Sequence, residues 1–267
     1  MVRIEILLIT CLLVGSCSFI QQRYLPRDFI ELQTISTSYK PDKALYLPER
    51  KILFVMEKVN SQIYVYKNWQ LINIIGGLGF ASNEFNRLND IAISPDGSLL
   101  TLDSFQKKIK KFDPEGNWIT EIDLEFMMQP LLFAVAGDET FYIYDGKTGE
   151  IVSYKGELAE NYHFGRFDLE EPLQISLSRD LLVLPQSAGT TRIFDTLGQF
   201  LDEYDDFIQI DMNNYFILHD YYIEVVDTAQ KIATSVKPWR SMLIQNNYIT
   251  VLNEYGIKII RIVYERS

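Results

Sequence analysis

Acidic residues recur in this sequence at one position, the end of a short run of aliphatic and aromatic residues. They are Glu57, Asp103, Asp145 and Asp220. Carboxylate oxygens bind Ca²⁺ and attract basic groups, so one interpretation is an acidic ring that holds a cation or a basic ligand. The other is structural: each carboxylate accepts backbone N–H groups of the turn that follows. A repeated residue in a repeated turn favours the structural interpretation.

Other polar residues on predicted inner strands could contribute to such a ring. They are Asn89, Asp90, Gln174, Gln209 and Asp211. With Asp90 added, the candidate binding face consists of Glu57, Asp90, Asp103, Asp145 and Asp220. Pro185 and Asn253 stand where two further repeats would place an acid, which weakens a metal site. We therefore predict no metal ligand and no catalytic residue, and Ca²⁺ is the one cofactor that this face would suit.

The two histidines of the chain, His163 and His219, lie in separate strand-like stretches. No serine or cysteine nucleophile motif accompanies either of them. A catalytic base is one interpretation, but the sequence favours a packed or surface histidine at both positions.

The charge of the chain bears on its partners. The formal net charge is −11, which repels the phosphate backbone of a nucleic acid. The one basic run, 107–111, is flanked by Asp103 and Asp113, and we interpret it as a solvated loop and strand. The sequence therefore predicts no nucleic-acid partner.

The N-terminus has the pattern of an export signal. An apolar run, Ile6–Val14, precedes Cys17 and is shorter than the ~20 residues of a spanning helix. Val14-Gly15-Ser16-Cys17 resembles the lipobox of bacterial lipoproteins, which implies a signal peptide over 1–16 and a lipidated Cys17. An ordinary signal peptide with an incidental cysteine is the alternative. Ser18 is not the aspartate that retains some lipoproteins at the inner membrane, so the resemblance favours the outer membrane of a Gram-negative bacterium.

A strand pattern repeats along the rest of the chain. Second strands of the repeat are predicted at 51–57, 98–103, 140–145, 180–185, 215–220 and 247–253. Third strands are predicted at 62–67, 108–113, 150–155, 190–195, 222–227 and 257–262. Each pair follows a turn and an earlier apolar strand, and small residues, Ala92, Ala134 and Ser176, occupy matching inner positions. This periodicity predicts an all-β, six-bladed β-propeller.

The last repeat ends without room for a fourth strand, whereas an alternating segment over 28–36 has no partner of its own. Ring closure solves both problems, because this segment would complete the last blade and leave no open edge. We therefore predict a signal peptide (1–16), a lipidated tether (17–27) and a propeller (28–267).

The stretch from Gly79-Phe80 to Asp90-Ile91-Ala92, with Ser94-Pro95-Asp96-Gly97 and Lys111-Phe112-Asp113, resembles an NHL repeat. Six-bladed NHL-like lipoproteins occur in Gram-negative bacteria, so the resemblance implies a fold and a compartment. Similar propellers also include gluconolactonase-like hydrolases and amidating-type lyases, which use metal-binding residues at the channel.

Two functional hypotheses follow. The first is a non-catalytic, membrane-anchored propeller in the cell envelope that presents a binding face to a protein, a peptide or a carbohydrate. The second is a metal-dependent hydrolase or lyase that uses carboxylates at the channel mouth.

Overall fold

The structure is a computed structural model that describes residues 24–156, 162–219, 221–233 and 241–266. The predictions for the signal peptide (1–16), Cys17 and Asp220 lie outside the described residues. The described chain forms six antiparallel sheets of four strands each. The predicted six-bladed β-propeller is therefore confirmed.

The first strand of the chain, β1 (Tyr24–Ser36), belongs to the last blade. Blade 1 holds β2 (Lys43–Leu47), β3 (Ile52–Glu57), β4 (Gln62–Lys67) and β5 (Gln70–Gly76). Blade 2 holds β6 (Leu88–Ile93), β7 (Leu99–Asp103), β8 (Lys108–Phe112) and β9 (Trp118–Asp123). Blade 3 holds β10 (Pro130–Val135), β11 (Phe141–Asp145), β12 (Glu150–Tyr154) and β13 (Tyr162–Phe164).

Blade 4 holds β14 (Ser176–Ser178), β15 (Leu181–Pro185), β16 (Thr191–Asp195) and β17 (Phe200–Tyr204). Blade 5 holds β18 (Ile208–Asp211), β19 (Asn214–Leu218), β20 (Tyr222–Val225) and β21 (Gln230–Ala233). Blade 6 holds β22 (Ser241–Gln245), β23 (Tyr248–Asn253), β24 (Gly256–Arg266) and β1. Short 3₁₀ turns occur at Pro48–Arg50 and Val226–Thr228.

The ring closes as predicted. β1 pairs antiparallel with β24, from Tyr24 opposite Arg266 to Ser36 opposite Gly256, with irregularities at Pro26/Asp28 and Glu31/Gln33. The strand begins at Tyr24 and not at the predicted Asp28, so part of the predicted 17–27 tether is paired. The closing contact is extensive because β24 is itself 11 residues long.

Burial explains why the strands of one blade differ in sequence. The second strands β3, β7 and β11 are buried at every position, because neighbouring blades cover both faces of each sheet. The fourth strands β9 and β17 are largely exposed. Apolar residues therefore fill both sides of the second strands, whereas polar residues interrupt the fourth.

The first strands surround a central channel. Its cavity of about 300 Å³ is lined by residues of all six blades, including Ala92, Ala134 and Ser176. These are the small residues that the sequence placed at matching inner positions, and small side chains suit the narrow end of a wedge-shaped blade.

The propeller has two distinct faces. We call upper the face that carries the blade-to-blade connections and the turns between second and third strands, and lower the face with the other turns. Tyr24 lies at the lower face, because it is opposite Arg266 at the end of β24. The amide of Asn214, in a lower turn of blade 5, donates to the Tyr24 carbonyl at 2.8 Å.

One interpretation of the basic run was wrong. Lys110 is buried, with only 1% of its surface exposed, and is not part of a solvated strand. Its Nζ donates to the carbonyls of Ala81 and Glu84 at 3.0 and 2.6 Å, which compensates for burying the charge. Among the described residues, no helix is long and apolar enough to cross a bilayer.

Candidate functional site

Asp103 ends the second strand of blade 2 at the upper face, and it is completely buried. Its carboxylate accepts the backbone N–H groups of Asn86 (2.7 Å), Phe105 (3.0 Å) and Gln106 (2.9 Å). It also accepts the Gln106 side-chain amide at 2.9 Å. The carboxylate thus fixes both the local turn and the connection arriving from blade 1.

Asp145 has the same role in blade 3. It is 2% exposed and accepts the backbone N–H groups of Met128 (2.6 Å) and Lys147 (2.9 Å). In blade 1, Glu57 is equally buried and accepts the backbone N–H of Asn60 at 3.1 Å. The three carboxylates of the predicted ring that the structure describes are therefore engaged by turn amides.

Asp90 differs from the other predicted site residues because it joins three blades. Its carboxylate accepts the Lys43 Nζ of blade 1 at 2.7 Å and the Phe133 N–H of blade 3 at 3.0 Å. Only 2% of its side chain is exposed, and 12% of that of Lys43. A buried, fully paired carboxylate of this kind positions the inner strands next to the channel.

Within the described part of the chain, no three carboxylate, histidine or cysteine side chains converge as a metal site would require. The structure places Glu57, Asp103 and Asp145 in separate turns of one face. The prediction that this face binds a ligand stays a prediction, and what these carboxylates do is accept amides of the surrounding loops.

The upper face exposes large apolar side chains that the acidic residues do not explain. We call the following set the apolar upper patch: Val59, Leu78, Phe80, Phe105, Met128, Phe167 and Leu173, between 55% and 95% exposed. They belong to the connections and turns of blades 1 to 4. In the described turns of the lower face, Leu197 and Val226 are the exposed large apolar residues. Among the described loops, the exposed large apolar side chains are therefore concentrated on the upper face.

The connection over 77–87 presents part of the patch in a fixed conformation. Phe80 packs edge-to-face on Phe105, with ring centroids 6.4 Å apart. Lys110 binds the carbonyls of Ala81 and Glu84 from below, and burial lowers the pKa of this lysine. Asp103 holds the end of the connection through the Asn86 N–H. The exposed phenylalanines are therefore supported by buried polar contacts.

A cluster of charged residues lies at the upper end of blade 3. Glu150, whose side chain is 7% exposed, accepts from Arg166 Nε at 3.1 Å and contacts His163 Nδ1 at 3.0 Å. Burial raises the pKa of Glu150, but the hydrogen bonds from His163 and Arg166 outweigh it, and the net shift is downward. In blade 5, His219 Nε2 lies 3.2 Å from Glu224. Both histidines thus have a carboxylate partner.

Asp211, which lines the channel, forms one further titratable pair with Tyr264. Tyr264 Oη donates to Asp211 Oδ2 at 2.5 Å, and burial raises the pKa of both groups. Of the other polar inner-strand candidates, Gln174 donates to the Met242 carbonyl at 3.2 Å and Gln209 to that of Ile208 at 3.0 Å. Asn89 Oδ1 accepts from the Ser104 hydroxyl at 2.5 Å.

Sequence reasoning missed the apolar upper patch and the Glu150 cluster. Phe80, Phe105 and Phe167 stand in loop-like stretches where an exposed phenylalanine is unusual, and that was the available signal. The signal for Glu150 was weaker, because His163 and Arg166 are separated from it by 13 and 16 positions.

Comparison with solved structures places the molecule among propellers. It resembles virginiamycin B lyase from Staphylococcus aureus, with a TM-score of 0.56 and 10% identity, over 88% of this chain and 100% of that chain. It also resembles a gluconolactonase from Xanthomonas campestris, with a TM-score of 0.61 and 11% identity, over 90% of this chain and 97% of that one. At these identities the likeness shows the fold alone.

A third similar structure is the Cps50 (Swd1) β-propeller domain of Myceliophteria thermophila, with a TM-score of 0.54 and 9% identity, over 88% of this chain and 100% of that one. No curated protein matches the sequence. The family model described as 6-bladed beta-propeller (DUF5128) matches residues 15–174, more than half of the 267-residue chain. The chain belongs to this family of six-bladed β-propellers.

Proposed function

We propose that the protein is a non-catalytic binding scaffold, anchored to a membrane of the bacterial cell envelope through a lipid on Cys17. Its upper face binds a partner, which we take to be a protein, a peptide or a carbohydrate. The observation that carries the proposal is the apolar upper patch, in which Phe80 and Phe105 are 70% and 64% exposed although buried contacts hold their loops in place.

The position of Tyr24 supports this orientation. The chain enters the propeller at the lower face, and Cys17 precedes Tyr24 by 7 residues (24 − 17). Seven residues span at most about 24 Å. A lipid on Cys17 would therefore keep the lower face near the bilayer and direct the upper face away from it, towards other envelope components.

The alternative, a metal-dependent hydrolase or lyase, receives less support from the geometry. The oxygens of Asp103 and Asp145 already accept several backbone amides each, which leaves few lone pairs for a cation. A ligand that binds only the folded state at 100 times its Kd stabilises it by ~2.7 kcal/mol. We expect no change in melting temperature with Ca²⁺ or EDTA, and a rise with Ca²⁺ that EDTA reverses would favour the enzyme.

Photo-crosslinking tests the proposed face. A benzoyl-phenylalanine at Phe105 or Phe167 should yield the same dominant adduct in intact envelopes, whereas one at Leu197 on the lower face should not. Leu197 is a matched control because it is 79% exposed. Co-expression of untagged wild-type protein should compete the adduct away, and a Phe80→Asp variant should compete poorly. Different adducts at the two upper positions, or the same adduct at Leu197, would contradict the proposal.

Lipidation has its own test. We expect Cys17→Ser to abolish incorporation of labelled palmitate and to leave the precursor uncleaved by the lipoprotein pathway. Palmitate incorporation equal to that of the wild type would remove the anchor from the proposal, without affecting the crosslinking result.

A further inference from the structure

We infer that His163 and Arg166, both held by the buried Glu150, form a recognition point for a carboxylate, and that the partner segment bound there is an acidic peptide. The inference deepens the proposed function, because it assigns a chemical class to the partner of the upper face. It is carried by the geometry of three side chains in blade 3.

Glu150 fixes the two outer residues of this cluster. Its Oε1 lies 3.0 Å from His163 Nδ1 and 3.3 Å from Arg166 Nη2, and its Oε2 accepts from Arg166 Nε at 3.1 Å. The Glu150 side chain is 7% exposed, whereas those of His163 and Arg166 are 51% and 55% exposed. The Glu150 carboxylate is thus the buried part of the cluster, and the His163 and Arg166 side chains form its exposed part.

The contacts with Glu150 leave specific groups free for a ligand. Arg166 uses Nε–H and one Nη2–H, which leaves the second Nη2–H and both Nη1–H donors at the end of the guanidinium. This end matches the two oxygens of a planar carboxylate. His163 turns Nδ1 to Glu150 and therefore has Nε2 available on its exposed side. In a neutral ring Nε2 accepts a hydrogen bond, and in a protonated ring it donates one to an anion.

Charge and surroundings favour a peptide. Glu150 balances the charge of Arg166 through two hydrogen bonds, and the guanidinium N–H donors that remain suit an added carboxylate. Phe167, next in the chain to Arg166, is 95% exposed, and such a ring suits an apolar peptide side chain. Asp168, Glu170 and Glu171 follow in the same connection and are exposed, so recognition depends on the local donors and not on net charge.

The second histidine of the chain provides an internal control. His219 pairs with Glu224 at 3.2 Å, but in the described part of the chain no arginine hydrogen-bonds to Glu224. A ligand carboxylate whose binding requires the Arg166 guanidinium should therefore shift the NMR signals of His163 and not those of His219. Because the chain has two histidines, their ring nitrogens give two sets of NMR signals, which His163→Gln and His219→Gln variants assign.

The experiment is a titration of the full-length, ¹⁵N-histidine-labelled protein in detergent micelles at pH 7. The probes are the capped dipeptide N-acetyl-Phe-Glu-amide, its neutral analogue N-acetyl-Phe-Gln-amide, glucuronate and inorganic phosphate. We expect the acidic dipeptide to shift the His163 ring signals saturably and to leave those of His219 unchanged. The neutral analogue, glucuronate and phosphate should each bind at least ten-fold more weakly.

Two variants test the role of the guanidinium. Arg166→Gln and Arg166→Lys should each weaken binding of the acidic dipeptide at least ten-fold, and unchanged His219 signals would show that the fold is intact. Equal shifts with the acidic and neutral dipeptides, parallel shifts of both histidines, or wild-type binding by Arg166→Gln would overturn the inference. Equal binding of glucuronate or phosphate would overturn the assignment to a peptide. None of these results would change the crosslinking from Phe105, so the two proposals fail separately.

Discussion

Asp103 and Asp145 show how one residue type can serve a repeat without serving a ligand. Each ends a second strand, is buried, and accepts backbone amides both from its own turn and from the connection that enters its blade. Hydrogen bonds to an ionised acceptor are stronger than those between neutral groups. Each of these carboxylates therefore links consecutive blades at the upper face through hydrogen bonds.

This role predicts the effect of Asp103→Asn. The NH₂ of asparagine cannot accept, so with NH₂ in place of Oδ2 the Asn86 N–H and the Gln106 side-chain amide lose their acceptor. Leaving buried donors unpaired should cost about 2–4 kcal/mol, measured as a shift of the urea midpoint. Asp123→Asn is the control, because the Asp123 side chain is 62% exposed and should change stability by less than about 0.5 kcal/mol. Equal effects of the two substitutions would contradict the role of Asp103.

The sequence could predict this turn function because donor and acceptor lie close together in a repeated motif. It could not predict the partners of Asp90, since Lys43 and Phe133 are 47 and 43 positions away and belong to other blades. Nor could it predict that Glu150 would hold both His163 and Arg166. The Asp90 contacts depend on how neighbouring blades are placed, and the Glu150 contacts on how β12 pairs with β13.

At the scale of elements, the connection over 77–87 is a part of the apolar upper patch whose conformation several hydrogen bonds hold. Its internal hydrogen bonds join Gly79 N–H to the Phe85 carbonyl at 3.1 Å and Phe85 N–H to the Gly77 carbonyl at 3.0 Å. Lys110, on β8 of blade 2, donates to two carbonyls of this connection. The connection behaves as part of the propeller and not as a free loop.

Replacing Lys110 by methionine should loosen this connection. The substitution removes the Nζ that donates both hydrogen bonds but retains an apolar side chain of similar length, so we expect the propeller to stay folded. Amide hydrogen exchange at Gly79 and Phe85 should become at least ten-fold faster, about 1.4 kcal/mol of local stability. Lys108→Met on the same strand is the control, since Lys108 pairs with Glu121 at the surface. Unchanged exchange in the Lys110 variant would show that the connection does not need it.

Strand periodicity was predictable because turns and buried second strands impose the same pattern on each blade. The second strands β3, β7, β11 and β15 end at the residues that the repeat predicted, Glu57, Asp103, Asp145 and Pro185. The burial of Lys110 was not predictable, because a lysine on a strand between acids reads as solvated unless its carbonyl partners, 26 and 29 positions away, are known. The start of β1 at Tyr24 was missed because Pro26 disfavours a regular strand.

For the whole molecule, closure by β1 and β24 determines both the shape of the ring and the side at which the chain enters it. The pairing joins segments more than 200 positions apart and completes the last of the six blades. It also places Tyr24 at the lower face, opposite the apolar upper patch.

A designed disulfide tests this closure. Ile30 and Arg261 are opposite each other in β1 and β24, and both are exposed. In a background with Cys11→Ser and Cys17→Ser, Ile30→Cys with Arg261→Cys should crosslink and stabilise the fold by up to about 5 kcal/mol. Ile30→Cys with Glu265→Cys, four positions farther along β24, should remain reduced. A disulfide in the second pair and none in the first would show a different register.

The most direct test of the central claim, that a partner covers the upper face, is the reactivity of single cysteines towards a maleimide in isolated envelopes and in purified protein. Met128→Cys lies in the apolar upper patch, and Ile119→Cys lies on β9, the outer strand of blade 2. The native side chains are 62% and 46% exposed. We expect Met128→Cys to react at least ten-fold more slowly in envelopes than after purification, and Ile119→Cys to react equally in both. Equal rates for Met128→Cys in the two preparations would contradict the account.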